Sequence, residues 1–295
     1  MARVLGGVFE SMAGQGPAAE LPAGVVVHKA LVFSEPDEAL RMDLFLPRAT
    51  GRPVPCILVI VGGGFMAQDG QRFRPFAVFL AERGFAAALP GYRGRPNHTW
   101  RETLADVKAA VRYVRSVSGQ YGLDPEKLGA MGRSAGATLA VLLAVTGGNP
   151  AFEGTGGHAE FSSAIQAAVG YAGVYDFVTR FTDEREKAMQ RDPTNKIKAN
   201  GEWVGAPFSA TDPDWLAASA LSHVDGATAP MLLMHCKDDP VVPWPQSRRM
   251  YEKLKQCGVD AELKLFDTGM HGFRFEDPKV YLDPMSDFFE EILGK

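Results

Sequence analysis

One stretch decides the fold of this chain: Ala130-Met131-Gly132-Arg133-Ser134-Ala135-Gly136-Ala137-Thr138. An apolar run typical of a buried strand meets a helix-forming run here, across a serine that lies between two glycines in the pattern Gly-x-Ser-x-Gly. The glycines are explained if the chain turns so sharply from strand to helix that a side chain beside the serine would clash. The first amides of the helix would then face the space beside Ser134 and stabilise a negative charge there. A glycine-rich turn with no catalytic role can show the same short pattern. Other parts of the sequence are therefore needed to tell whether Ser134 is catalytic.

Strand-like and helix-like segments alternate on both sides of this stretch. Apolar or alternating runs predict strands at 25–33, 40–46, 56–61, 84–89, 127–131, 165–171, 231–235 and 261–266. Helical spacing of apolar residues predicts helices at about 72–83, 99–121, 246–256 and 278–293. The first two strands are joined by a turn and predict an antiparallel hairpin. The later alternation predicts an α/β fold, with a mostly parallel sheet of about eight strands and helices on both faces.

Two segments do not follow this alternation. Residues 1–24, rich in glycine, alanine and proline, predict a loosely held N-terminal arm, which leaves 25–295 as a single domain. Residues 177–215 are too long for a plain loop in a compact domain, and we interpret them as a cap over Ser134, with a surface excursion as the alternative. Phe65, Trp203 and Phe208 are candidate substrate-binding residues, although the two in the cap could instead pack it.

Composition and charge narrow the functional class. The chain has 295 residues, 46% hydrophobic and 22% charged, as in an ordinary globular protein. Its net charge is −4, and its lysines and arginines are spread along the sequence, which argues against a nucleic-acid partner. No apolar stretch is long enough for a membrane span, and Glu10 and Ser11 interrupt the short N-terminal apolar patch. We therefore expect a cytoplasmic protein; the sequence leaves open a homodimer formed through an apolar edge or the cap.

The cysteines do not indicate a metal site or a disulfide framework. Cys56, Cys236 and Cys257 have no metal-ligand spacing, and their number is odd. Since Cys56 and Cys236 lie in apolar strand-like runs, we expect buried free thiols. No metal or cofactor is predicted.

Ser134 needs a base, because a serine hydroxyl is a weak nucleophile, and the base needs an acid to orient it. In parallel sheets whose serine lies on such a turn, the acid and then the histidine follow the serine along the chain, at the carboxyl ends of strands. His271, in Gly269-Met270-His271-Gly272-Phe273, follows the last strand and is the candidate base. The remaining histidines fail this test of order or position, with the strand residue His235 interpreted as structural: His28, His98, His158, His223 and His235.

Two adjacent carboxylates compete for the role of the acid. Asp238 and Asp239 both follow the strand at 231–235, and neighbouring residues in a loop project differently, so only one should reach His271. Asp239 is favoured, partly through the resemblance described below. Asp176, after the strand at 165–171, is the alternative.

Amide donors for an oxyanion are expected from two places. One is Ala135, directly after Ser134, and the other is the loop Gly62-Gly63-Gly64-Phe65, which follows the strand at 56–61. Glycines let the backbone approach a ligand closely. A phosphate-binding loop is disfavoured, because no Gly-Lys-Ser or Gly-Lys-Thr follows.

Together these motifs resemble those of the esterase and lipase group related to hormone-sensitive lipase, particularly its bacterial feruloyl- and acetyl-esterase-like branch. The resemblance covers roughly residue 25 to the C-terminus and rests on Val61 to Phe65, Gly132 to Gly136, His235 to Pro243 and Gly269 to Phe273. It implies the α/β-hydrolase fold, Ser134 as nucleophile, His271 as base, Asp239 as acid, and an oxyanion hole from the amides of Gly63, Gly64 and Ala135.

The chain departs from that pattern at two positions. The family's glycine loop usually begins with a histidine that helps to fix it, where this chain has Val61, and Cys236 stands where glycine is common. The expected function is a serine carboxylic ester hydrolase that forms an acyl-enzyme with small to medium acyl esters. A related amidase or peptidase is one alternative. A non-catalytic or weakly active ligand-binding hydrolase fold is another, and Val61 is its motivation.

Overall fold

The computed structural model describes residues 21–35, 39–48 and 51–294. The predicted arm at 1–24 lies almost entirely outside these residues. Eight strands form one sheet in the order β1-β2-β4-β3-β5-β6-β7-β8: β1 (Val25–Ser34), β2 (Leu40–Pro47), β3 (Val54–Ile60), β4 (Ala86–Pro90), β5 (Leu123–Arg133), β6 (Ala167–Tyr171), β7 (Met231–Cys236) and β8 (Ala261–Phe266). β1 and β2 form an antiparallel hairpin, and β3 to β8 are parallel. The predicted α/β architecture is confirmed.

The helices connect and cover these strands. They are α1 (Arg74–Glu82), α2 (Trp100–Ser116), α3 (Ser118–Tyr121), α4 (Ala135–Val145), α5 (Thr179–Thr182), α6 (Glu184–Met189), α7 (Pro193–Val204), α8 (Pro213–Ala217), α9 (Pro245–Gln256) and α10 (Lys279–Leu293). The long helix predicted at 99–121 is in fact two helices. The backbone leaves the helical geometry at Val117 and turns left-handed at Gly122, where φ is 66°.

Two apolar cores lie on opposite faces of the sheet. On one face α2, α4 and α9 pack against the strands, and on the other α1 and α10 do so. Every residue of β3, β4, β6 and β7 is buried, which explains their continuous apolar runs. Because β3, β5, β6, β7 and β8 run in the same direction, the loops that follow them lie at one edge of the sheet.

Residues 177–215, called the cap below, contain the helices α5 to α7 and the start of α8. Several of their aromatic side chains join the core on the α2 face. In the described ranges no helix is both long enough and apolar enough to cross a membrane, and no cluster of potential metal ligands occurs there. The three cysteines are free, and burial raises the pKa of Cys56 and Cys236 to about 12, so both thiols stay protonated at neutral pH.

Candidate active site

Ser134 lies on a strained turn between β5 and α4. Its backbone has φ 57° and ψ −125°, in the left-handed half of the map that residues with a side chain rarely occupy. A Cβ atom added to Gly136 would lie 2.1 Å from the carbonyl oxygen of Ile60, and one added to Gly132 would lie 2.3 Å from the carbonyl carbon of Gly136. Both glycines of the motif are therefore required by close backbone approach, as the sequence predicted.

His271 and Asp239 come together from the loops after β8 and β7. The His271 Nδ1 atom lies 2.7 Å from Asp239 Oδ2. The other carboxylate oxygen, Oδ1, accepts hydrogen bonds from the amides of Val241 at 2.8 Å and Val242 at 3.0 Å. The carboxylate is thus held by its own loop on one side and reaches His271 on the other.

Asp239 is ionised in this environment. Only 3% of the residue is exposed, and burial acts to raise its pKa, but hydrogen bonds from His235 and His271 outweigh burial and hold the pKa well below its usual range. An ionised carboxylate can only accept hydrogen bonds, so Nδ1 of His271 carries the proton. The Nε2 atom of His271 is left unprotonated in the neutral ring and can accept a proton.

The two other carboxylates considered from sequence have different partners. Asp238 accepts hydrogen bonds from the amides of Gly269 at 3.2 Å and Met270 at 2.7 Å, so it holds the turn that precedes His271. Asp176 accepts hydrogen bonds from the backbone amides of Val178 and Thr179. In the part of the chain that the structure describes, neither side chain is hydrogen-bonded to the His271 ring, whereas Asp239 is.

His235 is a member of this network that the sequence did not identify. Its side chain is fully buried, with Nε2 at 3.4 Å from Asp239 Oδ2 and 3.0 Å from the carbonyl oxygen of Val242. Its Nδ1 lies 2.7 Å from the Ser247 hydroxyl on α9. If Nε2 carries the proton, it faces both oxygen acceptors, and Nδ1 can accept the hydrogen of the Ser247 hydroxyl. His235 therefore helps to hold the Asp239 carboxylate in place. Only its position four residues before Asp239 could have signalled this role.

The glycine loop after β3 presents amides without partners. Among the described residues, the backbone N–H groups of Gly63, Gly64 and Ala135 donate no hydrogen bond, and all three residues line the cavity that contains Ser134. Unpaired donors beside a nucleophile are what an oxyanion requires.

Tyr92 and Arg95 hold this loop where the family's histidine is missing. The Tyr92 hydroxyl donates to the carbonyl oxygen of Val61 at 2.6 Å, and both residues are buried. Farther along the loop, Nε of Arg95 donates to the carbonyl oxygen of Gly64 at 2.7 Å. The loop that begins at Val61 is therefore anchored at both ends.

A cavity of about 260 Å³ joins these groups. Ser134 and His271 both line it, although the Ser134 hydroxyl makes no hydrogen bond with His271 within the described part of the chain. Such bonds are often long in enzymes without bound substrate and tighten when the substrate arrives. The remaining lining is made by the glycine loop, the loop after β7, the cap and cationic side chains, with these residues: Gly62, Gly63, Gly64, Phe65, Arg72, Arg95, Arg133, Ala135, Val174, Arg180, Lys196, Ala199, Asn200, Val241 and Val242.

Of the three aromatic candidates for substrate binding, the structure places one at the cavity. Phe65 lines it and stacks on Trp203, with ring centroids 3.9 Å apart. Trp203 itself is fully buried and donates its indole N–H to Thr103 on α2, so it packs the cap against the sheet layer. Phe208 packs on Trp215 and lines a separate surface depression. In these two cases the aromatic side chain serves packing instead of lining the cavity.

The cap is joined to the loop that carries Asp239. Arg180 donates from Nη2 to the carbonyl oxygen of Val241 at 2.8 Å, and the amide of Arg191 donates to the carbonyl oxygen of Pro240 at 2.8 Å. Lys196 and Asn200, one helical turn apart on α7, bring polar groups to the cavity. The sequence reasoning missed these residues, although their spacing of four was visible.

Comparison with known proteins gives a family match and several relatives. Residues 42–254 match the BD-FAE family model, a range that includes Ser134 and Asp239 and ends before His271. The probable carboxylic ester hydrolase LipM of Mycobacterium tuberculosis is 32% identical over 203 residues, which are 68% of this chain and 45% of that protein. The chain spans about half the length of the curated relatives it matches.

Solved structures match over nearly the whole chain. A truncated carbohydrate esterase from gut microbiota is 25% identical with a TM-score of 0.79, covering 95% of this chain and 100% of that one. Esterase 2 of Thermogutta terrifontis, phosphoramylated by tabun, is 25% identical with a TM-score of 0.73, covering 95% of this chain and 98% of that one. The fold is that of the α/β-hydrolases, and the chain belongs to the BD-FAE family.

Proposed function

We propose that this chain is a serine carboxylic ester hydrolase that works through an acyl-enzyme. The observation that carries the proposal is that Ser134 on its strained turn shares one cavity with His271, which is itself bonded to the ionised Asp239. The relatives support the same chemistry, since LipM is described as a probable carboxylic ester hydrolase and the two structural neighbours are esterases.

Each residue has a defined part in the proposed reaction. Ser134 Oγ attacks the ester carbonyl while Nε2 of His271 takes the hydroxyl proton. The ionised Asp239 stabilises the imidazolium that forms, and the amides of Gly63, Gly64 and Ala135 bind the oxyanion. His271 then passes its proton to the leaving alcohol, which gives the acyl-enzyme.

Deacylation repeats these steps with water. His271 removes a proton from water as the oxygen attacks the acyl carbon, and the same amides bind the second oxyanion. When that intermediate collapses, His271 returns the proton to Ser134 Oγ and the carboxylic acid leaves. No cofactor is needed in this cycle.

The cavity size favours small substrates. Its volume of about 260 Å³ lies just below the range of roughly 300–1,000 Å³ that is usual for small-molecule sites. Phe65, held by Trp203, forms a rigid part of the wall. We therefore expect acetyl and butyryl esters to be better substrates than octanoyl esters.

Hydrolysis of p-nitrophenyl acetate, butyrate and octanoate tests the proposal directly. The wild-type protein should show a burst of p-nitrophenol followed by steady turnover, and Ser134→Ala and His271→Ala should remove both. Rates that are equal in all three proteins would contradict the proposed nucleophile. A folded wild type that is inert toward the panel would favour the ligand-binding alternative, while faster cleavage of the matched anilides would favour an amidase.

The location and the oligomeric state of the protein are two further expectations. We propose a cytoplasmic location, which the three free cysteines support because a reducing compartment preserves thiols. Fractionation of the native host, with the protein in the membrane or exported fraction, would contradict it. A homodimer stays a prediction that light scattering of the purified protein can decide.

A further inference from the structure

The catalytic cavity is strongly cationic, although the protein as a whole has a net charge of −4. Five of the residues that line it carry positive side chains, and none of the lining residues is an aspartate or a glutamate: Arg72, Arg95, Arg133, Arg180 and Lys196. Arg95 is neutralised by an ion pair of 2.7 Å with Glu202. The other four make no ion pair with a carboxylate within the described ranges, so no carboxylate in contact neutralises their charges.

Arg180 is the most informative of these side chains, because it is only 2% exposed. It donates from Nε to Gln190 Oε1, from Nη1 to Asn200 Oδ1 and from Nη2 to the carbonyl oxygen of Val241, and all three acceptors are neutral. Burial lowers the pKa of its guanidinium to about 10, so it stays charged at neutral pH. A buried charge without an opposite charge in contact is costly and calls for a partner.

The carboxylates of Asp239 and Glu186 act on the Arg180 charge and raise its pKa, but both are bonded to other groups. Asp239 bonds to His271, and Glu186 lies 2.6 Å from Arg249 and accepts a hydrogen bond of 2.6 Å from Gln246. Three of the five N–H donors of the guanidinium are used, which leaves one on Nη1 and one on Nη2. Each of these two free donors can bind a carboxylate oxygen.

Lys196 lies on the same wall of the cavity. It is half-buried on α7, and its ammonium group has neither a hydrogen bond nor an ion pair among the described residues. Burial lowers its pKa, and so do the positive charges of Arg180 and Arg95, whose repulsion the carboxylates of Asp192 and Asp239 offset in part. An anion between Lys196 and Arg180 would relieve that repulsion.

We propose that the substrate is an ester that also carries a carboxylate, which the free donors of Arg180 and the ammonium of Lys196 bind while Ser134 attacks the ester. The proposal rests on the ester hydrolase function proposed above and adds the charge of its substrate. Arg133, beside the nucleophile, and the more exposed Arg72 add to the attractive potential. The carboxylate of the substrate then lies near the cap, and its ester carbonyl lies at the glycine loop. Both groups fit within one small cavity.

Two matched pairs of esters test this proposal. In p-acetoxybenzoate and p-acetoxybenzamide the charge is on the alcohol side, and in monoethyl adipate and its half-amide it is on the acyl side. The wild type should prefer the anionic ester of at least one pair by about tenfold in kcat/KM, mainly through KM, and added salt should reduce that preference.

Variants of the cavity wall make the test specific. Lys196→Met should lower the ratio of anionic to neutral kcat/KM about fivefold, as expected for a partly exposed charge pair. Lys198→Met, two residues along the same helix at an exposed position outside the cavity, is the matched control and should leave the ratio unchanged. Arg180→Gln should lower the ratio more, provided that its circular dichroism and unfolding curve are native.

The outcomes separate the two proposals. If both neutral esters are hydrolysed in a Ser134-dependent way and neither anionic ester is preferred, the carboxylate site is overturned and the esterase stands. If no ester is hydrolysed, calorimetric titration of the protein with adipate and with adipamide shows whether the anion site exists. Binding of adipate alone, weakened in Lys196→Met, supports the anion site and rejects the esterase, and the lack of any binding rejects both.

Discussion

The Tyr92 hydroxyl anchors the start of the glycine loop, so we expect Tyr92→Phe to slow catalysis although Tyr92 touches no reacting atom. The hydroxyl donates to the carbonyl oxygen of the buried Val61 at 2.6 Å. Its removal leaves that carbonyl without this donor, which should cost about 1–3 kcal/mol in the free energy of unfolding. The aromatic ring stays, so the packing around it is preserved.

The expected effect on kcat follows from the position of Val61 directly before the glycine loop. The next three residues form the glycine loop, and Gly63 and Gly64 supply two of the proposed oxyanion donors. Losing a whole donor costs about a hundredfold to a thousandfold in kcat, so a loop that keeps its donors but holds them less firmly should lose about tenfold. The loss should appear in kcat, with KM near its wild-type value, because the donors act on charge that develops only in the transition state.

Tyr171→Phe is the matched control for this experiment. The Tyr171 hydroxyl is also buried and donates to a backbone carbonyl, that of Tyr281 at 2.8 Å, on the α10 face of the sheet. Both variants should lose similar stability in urea unfolding, but only Tyr92→Phe should lose kcat toward p-nitrophenyl acetate. Equal kcat values in the two variants would refute the role of Tyr92 in fixing the loop.

Three other perturbations test the surrounding network. Gly136→Ala places a Cβ 2.1 Å from the Ile60 carbonyl oxygen, so the turn must shift; we expect at least about 2 kcal/mol of lost stability and loss of esterase activity, and native values of both would contradict the close approach. His235→Phe leaves several buried polar groups unpaired and should cost about 2–4 kcal/mol in urea unfolding, where an unchanged midpoint would be unexpected. The pKa of Asp239 is depressed in the folded state, so the unfolded chain binds protons more readily and stability should fall as the pH drops below about 4. Asp239→Asn should flatten this acid limb, and acid limbs of equal slope in the two proteins would count against the assignment.

The strand-to-helix turn could be predicted because its cause is local. Gly132 and Gly136 are required by backbone contacts a few residues away or on the adjacent strand, and the runs on either side of Ser134 are continuously apolar and buried. The positions of His271 and Asp239 followed from the direction of the parallel strands, which brings their loops to one edge of the sheet. The choice between Asp238 and Asp239 depends on the side-chain directions in one loop, and no sequence period reports these.

The charge of the cavity could not be predicted in the same way. The cap has no long periodic run, and the spacing of four between Lys196 and Asn200 does not by itself show that α7 presents both residues to the cavity. The sequence also could not show whether Trp203 and Phe208 line the cavity or pack the cap, because that depends on how the cap packs against the rest of the domain. The position of His235 in a strand favours a structural role, but its ring nitrogen also reaches the carboxylate on the next loop.

The hydrogen bonds between the cap and the loop of Asp239 have a consequence for exchanging the cap between relatives. A chimera that replaces residues 177–215 with the corresponding segment of another family member would exchange the charged wall of the cavity in one step. It would also exchange Arg180, whose guanidinium holds the carbonyl of Val241 two residues after the acid. A transplanted segment without an equivalent arginine would therefore bring a new preference together with a misaligned carboxylate. The segment that supplies the proposed substrate-binding cations therefore also helps to hold the proposed acid, so a change in this segment affects both.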